Sequence, residues 1–233
     1  PRSTLDRSSA ASDVYKRQIF ISCATFFKND EKLINYVDPF IGSGGHGHVF
    51  VGANVPFGGV QVGPTNFNKG WDWSSSYHHT DSIVKGFCHI NVSGTGMSDL
   101  GELTIMPATG ELKTGAGTQE NHMAGYSSLY RKNKEFATAG YYKVHLERYD
   151  IDVELTATER VGLHNYIFPD AEKSRIIIDL GEGSADRPTE TYIKKVNDTL
   201  FEGHRFSTGW AKDQREYFSL VISKPVSDFI IYD

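Results

Sequence analysis

The chain has 233 residues, 39% hydrophobic and 23% charged, with a formal net charge of -5 at pH 7. That is enough chain for one sizeable core, and its scattered Lys and Arg form no basic stripe to neutralise phosphates, which argues against a nucleic-acid partner. The two cysteines, Cys23 and Cys88, cannot make a disulfide framework and match no metal-ligand spacing.

Pro1 to Gln18 is polar, Ser-rich and without periodicity; it resembles translated adaptor sequence and is set aside from fold reasoning. Ile19 to Phe27 is an apolar run too short to span a bilayer but suited to the end of a signal-peptide hydrophobic region. Ser22-Cys23 within it looks like a bacterial lipobox, although Phe20 matches poorly. Residues 19–34 therefore read as the remnant of an export segment and linker, with Cys23 as a candidate lipid anchor for a periplasmic or outer-membrane lipoprotein; a buried strand followed by a loop is the alternative.

From Gly59 to the end, short runs alternate polar and apolar residues at period two: Gly59–Gly63, Leu103–Met106, Tyr141–Leu146, Asp152–Thr158 and Gly162–Phe168. Arg175–Leu180 is a short continuous apolar run, and Thr191–Val196, Thr199–Phe206, Tyr217–Ile222 and Asp228–Tyr232 follow, punctuated by turn residues such as Asp150, Pro169-Asp170 and Asn197-Asp198. No amphipathic helix of more than about three turns competes. Residues 35–233 are expected to form an all-β antiparallel sandwich with long glycine-rich loops.

Two segments, Ile41–His48 and Ser93–Asp99, carry too many glycines for regular strands and read as loops that line something. Ser43-Gly44-Gly45-His46-Gly47-His48 lacks the Lys-Ser/Thr of a phosphate loop. His46 and His48 stand at i, i+2 with no carboxylate at zinc-site spacing, so no metal ligand is assigned in this chain; a structural hydrogen bond or a substrate contact is the expected role of each. Gly70-Trp71-Asp72-Trp73, followed by Ser74 to Asp81, sets aromatic rings beside a carboxylate, hydroxyls and imidazoles, a combination suited to stacking on a pyranose and binding its hydroxyls. The competing role is that of core tryptophans pinning the loop; one Trp for each role is a third option. Gly86 to Gly96 supplies His89 and a Cys88 that reads as a small buried apolar residue.

Several blocks then carry a resemblance: Tyr36 to His48, Val55-Pro56-Phe57-Gly58-Gly59-Val60-Gln61, Gly70 to Trp73, Ser93 to Gly101, Ala139-Gly140-Tyr141-Tyr142, Glu154 to His164 and Ile178-Asp179-Leu180-Gly181. In this order they resemble the N-terminal domain of glycoside hydrolase family 92, over about Tyr36 to Asp233. The resemblance implies a calcium-dependent, inverting exo-α-mannosidase acting on terminal mannose of glycans. Its sandwich packs against a C-terminal (α/α)6 barrel, the chain's own missing partner, which supplies the catalytic acid and base and most calcium ligands. It implies Trp71, Gly44, Gly45, His46, Asp72 and His89 as residues reaching the sugar. Val51, where Pro is common, and Ser74 to Ser76, where Cys and Gly are frequent, depart from the pattern. A free-standing carbohydrate-binding sandwich is the alternative from another class, and a self-contained hydrolase built on Asp72, Asp81, Asp99 and Glu102 a remote one.

Overall fold

The computed structural model describes residues 33–101, 103–169 and 174–232; the expectations for Pro1 to Gln18, for the apolar run and for Cys23 lie outside these. The chain divides into two compact units, Pro1–Asp38 and Pro39–Asp233. Of the first, the described part holds a 3-10 turn, Ile34–Tyr36, whose residues are exposed.

The second unit is built from short strands. In chain order they are β1 Ala53–Asn54, β2 Gln61–Thr65, β3 Ile83–Val84, β4 Gly86–Cys88, β5 Thr104–Ala108, β6 Ser128–Leu129 and β7 Glu135–Thr138. Next come β8 Tyr141–Leu146, β9 Ile151–Ala157, β10 Gly162–Ile167, β11 Arg175–Asp179, β12 Arg187–Lys195, β13 Leu200–Thr208 and β14 Gln214–Val221. A five-stranded sheet runs β1-β2-β4-β5-β11, a four-stranded sheet β10-β9-β8-β7, a three-stranded sheet β12-β13-β14, and β3 pairs with β6. Every pairing is antiparallel.

The period-two pattern explains the layers. In β8, Tyr142, Val144 and Leu146 are buried while Tyr141, Lys143 and His145 point outward, and β9 buries Ile151, Val153 and Leu155 in register with them. Their inner face meets β1 and β2 of the five-stranded sheet. Val51, Val62, Phe87 and Met106 from that side share one core with the β8–β9 residues, as in a sandwich with interdigitating inner faces. The turn between β8 and β9 places Asp150 at φ 53, a left-handed position that Asp tolerates better than most residues. β5, central between β4 and β11, is buried along its whole length.

Strand boundaries depart from the sequence reading at three places. β12 starts at Arg187, because it lies at the edge of its sheet and Pro188 falls at a register shift where a missing N–H costs no ladder bond. The strands β1, β3, β4, β6 and β7 are two to four residues long, too short for alternation to declare itself. Residues 228–232, expected as a strand, are irregular: Phe229 packs on Phe201, but Ile230, Ile231 and Tyr232 are exposed and unpaired in any sheet.

Candidate functional site

Three irregular segments of the second unit converge. Residues 42–48 curl into a closed loop through bonds from Val49 N–H to the Gly42 carbonyl and from Gly47 N–H to the Gly44 carbonyl. A Cβ on Gly47 would overlap the Gly42 backbone at 1.9 Å, so only glycine closes this loop. It is tied to the 93–96 segment by Gly94 N–H donating to the His48 carbonyl and to the 71–79 segment by His79 N–H donating to the Ser43 carbonyl. Ser74 Oγ donates to the Thr95 carbonyl and closes the third side.

Trp71 opens a 3-10 turn, Trp71–Trp73, and is 57% exposed. Its ring lies 5.1 Å from that of His46 and 4.4 Å, edge-on, from that of His48. Beneath it sits Gly96, where an added Cβ would come within 2.4 Å of Trp71 Nε1; the glycine is the seat of the indole. Asp72 turns its Oδ1 to His46 Nδ1 at 2.6 Å and to His48 Nε2 at 3.5 Å. The hydrogen bond from His46 is the chief cause that lowers the Asp72 carboxyl below its usual value, so at neutral pH the group is a carboxylate acceptor. His48 is buried and holds φ 55, a strained conformation for a residue with a Cβ. The cost is met by the bonds that fix its carbonyl and ring.

The two tryptophans divide the roles that the sequence left open. Trp73 stacks on His78 at 4.3 Å, donates its Nε1–H to Asp81 at 3.0 Å and lies under Lys69, so it pins the loop, whereas Trp71 presents its ring to solvent. Gly45 lies in the same loop at φ +57 with nothing within 4 Å of where a Cβ would be, and its carbonyl bonds His78; Gly44 meets only His79 at 3.5 Å. Trp71, Asp72, His46, Gly44 and Gly45 are thus brought together.

His89 is not part of this group. Its Nδ1–H donates to the Leu103 carbonyl and its Nε2 meets His164 Nε2 at 3.1 Å, with the rings stacked at 4.9 Å. Burial pushes the His89 ring below its ordinary pKa and that of His164 well below it, so both are neutral. With Nδ1 committed as donor, His89 Nε2 accepts from His164 Nε2–H, and His164 Nδ1 accepts from the Tyr166 hydroxyl at 2.6 Å. Within this chain both nitrogens of His89 are engaged. Cys88 is buried and its thiol is raised by burial, as expected of an inert residue.

The fold also assembles a donor group that spacing along the chain does not reveal. No carboxylate follows His46 and His48 in sequence at a useful spacing, but Asp72, 26 and 24 positions away, is delivered by the fold. Donor atoms of His46, His48 and Asp72 lie within 4.8 Å of one another, a group able to hold an ion. Gly96 is the residue that sequence reasoning left out of the site, its signal being the glycine-rich setting; His48, expected in a structural hydrogen bond or a substrate contact, joins through Asp72. The remaining acidic candidates are separately engaged. Asp81 receives Lys69, Trp73 and the Ser82 and Ile83 N–H groups, and Asp99 receives Trp210 N–H and Gln214. Glu102 lies outside the described residues.

The N-terminal domain of glycosyl hydrolase family 92 matches residues 36–233. The family 92 α-mannosidase BT3965 of Bacteroides thetaiotaomicron, solved alone and in complex with mannoimidazole, is 34% identical with a TM-score of 0.82 over 84% of this chain and 26% of its own. The family 92 inverting mannosidase BT2199 of the same organism is 25% identical with a TM-score of 0.66, over 83% of this chain and 25% of its own. A protein of Arthroderma benhamiae described as an uncharacterized secreted glycosidase is 27% identical over 183 residues, 72% of this chain and 22% of its own length. The chain therefore spans about a quarter of the length of the relatives it matches. With the domain match running over 36–233 and the sandwich reproduced, the chain belongs to glycoside hydrolase family 92 through that family's N-terminal domain.

Proposed function

We propose that this chain is the sugar-pocket-contributing N-terminal domain of an exported, inverting exo-α-mannosidase acting on terminal mannose. The observation that carries the reading is the half-exposed Trp71 ring set beside an ionised Asp72 and the His46 loop. A ring face desolvates the apolar side of a pyranose, and a carboxylate accepting from its hydroxyls fixes the orientation that apolar contact leaves free. The open space over Gly45 gives the sugar room against the backbone.

Inversion needs a carboxylic acid to protonate the leaving oxygen and a carboxylate about 6.5–9.5 Å away to activate water on the opposite face. We assign both to a barrel beyond this chain, together with the calcium, a hard cation that takes six to eight oxygen ligands. The two nitrogens and one carboxylate of the His46, His48 and Asp72 group do not fit such an ion. What these residues do is bind and orient. Apolar side chains exposed on β10 and β14, Leu163, Ile167, Tyr217 and Val221, fit a surface that the barrel covers. Export is in keeping with the relative described as secreted; a lipid anchor at Cys23 is the mode of attachment we propose.

The test is to assay release of mannose from a terminal α-mannoside by the full-length protein and by the 233-residue chain alone. The full-length protein is expected to be active and the chain inert, because acid–base catalysis without its positioned groups loses orders of magnitude. Calcium-dependent mannose release by the chain alone would overturn the reading. The alternative, a free-standing carbohydrate-binding sandwich, would leave the full-length protein inactive.

A further inference from the structure

The geometry points to a binding site for a first-row transition-metal dication of the zinc class at His46 Nδ1, His48 Nε2 and Asp72 Oδ1. All three donor atoms lie within 4.8 Å of one another, and a single carboxylate oxygen is shared, 2.6 Å from one imidazole and 3.5 Å from the other. Around an ion with bonds of about 2.0–2.1 Å in tetrahedral array, neighbouring donors stand about 3.3 Å apart. The His48–Asp72 separation already matches. His46 Nδ1, 2.6 Å from Asp72 Oδ1, must draw back from that oxygen by about 0.7 Å to reach the same spacing, and it is the exposed member, carried between Gly45 and Gly47.

The supporting structure is that of a built site. His48 is buried and held at φ 55 with its carbonyl bonded by Gly94, a strained backbone position kept while its ring meets Asp72. The Trp71 indole lies against both imidazoles, an apolar cover on that side of the donor group. Two imidazoles and one carboxylate are the donor set of open zinc sites, and they discriminate against calcium and magnesium, which take oxygen cages. The inference shares His46 and Asp72 with the sugar reading; Trp71 is needed for the sugar and not for ligation.

The experiment uses the full-length protein, stripped of metal and titrated with Zn2+ against a chromophoric chelator, with Co2+ absorption as a second probe. Expected are one equivalent of Zn2+ bound without displacement by excess Ca2+, visible bands of four-coordinate Co2+, and at least tenfold weaker binding in His46→Ala and in Asp72→Asn. His46 is exposed, so His46→Ala keeps the test valid should Asp72→Asn fold poorly. Trp71→Ala is expected to keep the metal while losing affinity for mannosides, which separates the two readings. No stoichiometric Zn2+ binding, or binding unchanged in both ligand variants, would overturn the site.

Discussion

Gly96 offers the sharpest test of the pocket because it is defined by one contact. A Cβ there would lie 2.4 Å from Trp71 Nε1, 2.9 Å from Cε2 and 3.1 Å from Cζ2, against about 3.5–4.0 Å for an ordinary carbon contact. In Gly96→Ala the indole must therefore retreat by about 1 Å. Gly96 carries no left-handed φ, so the substitution adds no backbone strain, and the half-exposed ring moves into solvent. The stability cost is expected to be under about 1 kcal/mol, a melting shift of no more than about 4 °C. The functional cost is larger, because a misplacement of about 1 Å in a positioning group lowers rate about 100-fold, equivalent to about 2.7 kcal/mol. The assay is kcat/KM of the full-length enzyme on a terminal α-mannoside alongside the melting temperature. Gly115→Ala serves as control, since a Cβ there meets nothing within 4 Å. A Gly96→Ala enzyme whose kcat/KM stays within twofold of the wild type would refute the claim that the Trp71 ring is held in place for the sugar.

Trp71→Ala is expected to cost about 1–3 kcal/mol in kcat/KM with a melting shift of a few degrees, whereas Trp73→Ala, which loses the His78 stack and the Asp81 bond, costs about 3–5 kcal/mol of stability; reversed results in paired melts and kinetics would sink the division of roles. Because burial lowers the pKa of both His89 and His164, the folded state favours their neutral forms. The stability they contribute is fully present above the unfolded value of about 6.5 and is lost as pH falls below it toward their folded values. Melting curves between about pH 7.5 and 5, compared with a His89→Gln/His164→Gln variant that titrates less steeply, check this; identical slopes would contradict it. Arg205, fully buried against Asp186 and the Leu180 carbonyl, is expected to cost about 3–5 kcal/mol when replaced by Met, since the Asp186 charge is left buried without its partner; denaturant unfolding of the variant at unchanged midpoint would be incompatible with that pair.

The sequence by itself determined the frame. Tyr141–Leu146 and Ile151–Ala157 were legible because each residue's burial depends on its neighbour two places away, and the turn residues between them are equally local. The glycine loops were legible as loops for the same reason: missing side chains declare themselves one residue at a time. Only the tertiary structure decided which loop residues meet. Asp72 joins His46 and His48 across 26 and 24 positions, Gly96 carries Trp71 across a third segment, and His89 turns inward to His164 from 75 positions away. Each of these depends on how separate sheets and loops pack. Spacing along the chain carries no information about such meetings, because it is the pairing of distant strands, rather than any local preference, that brings the segments together.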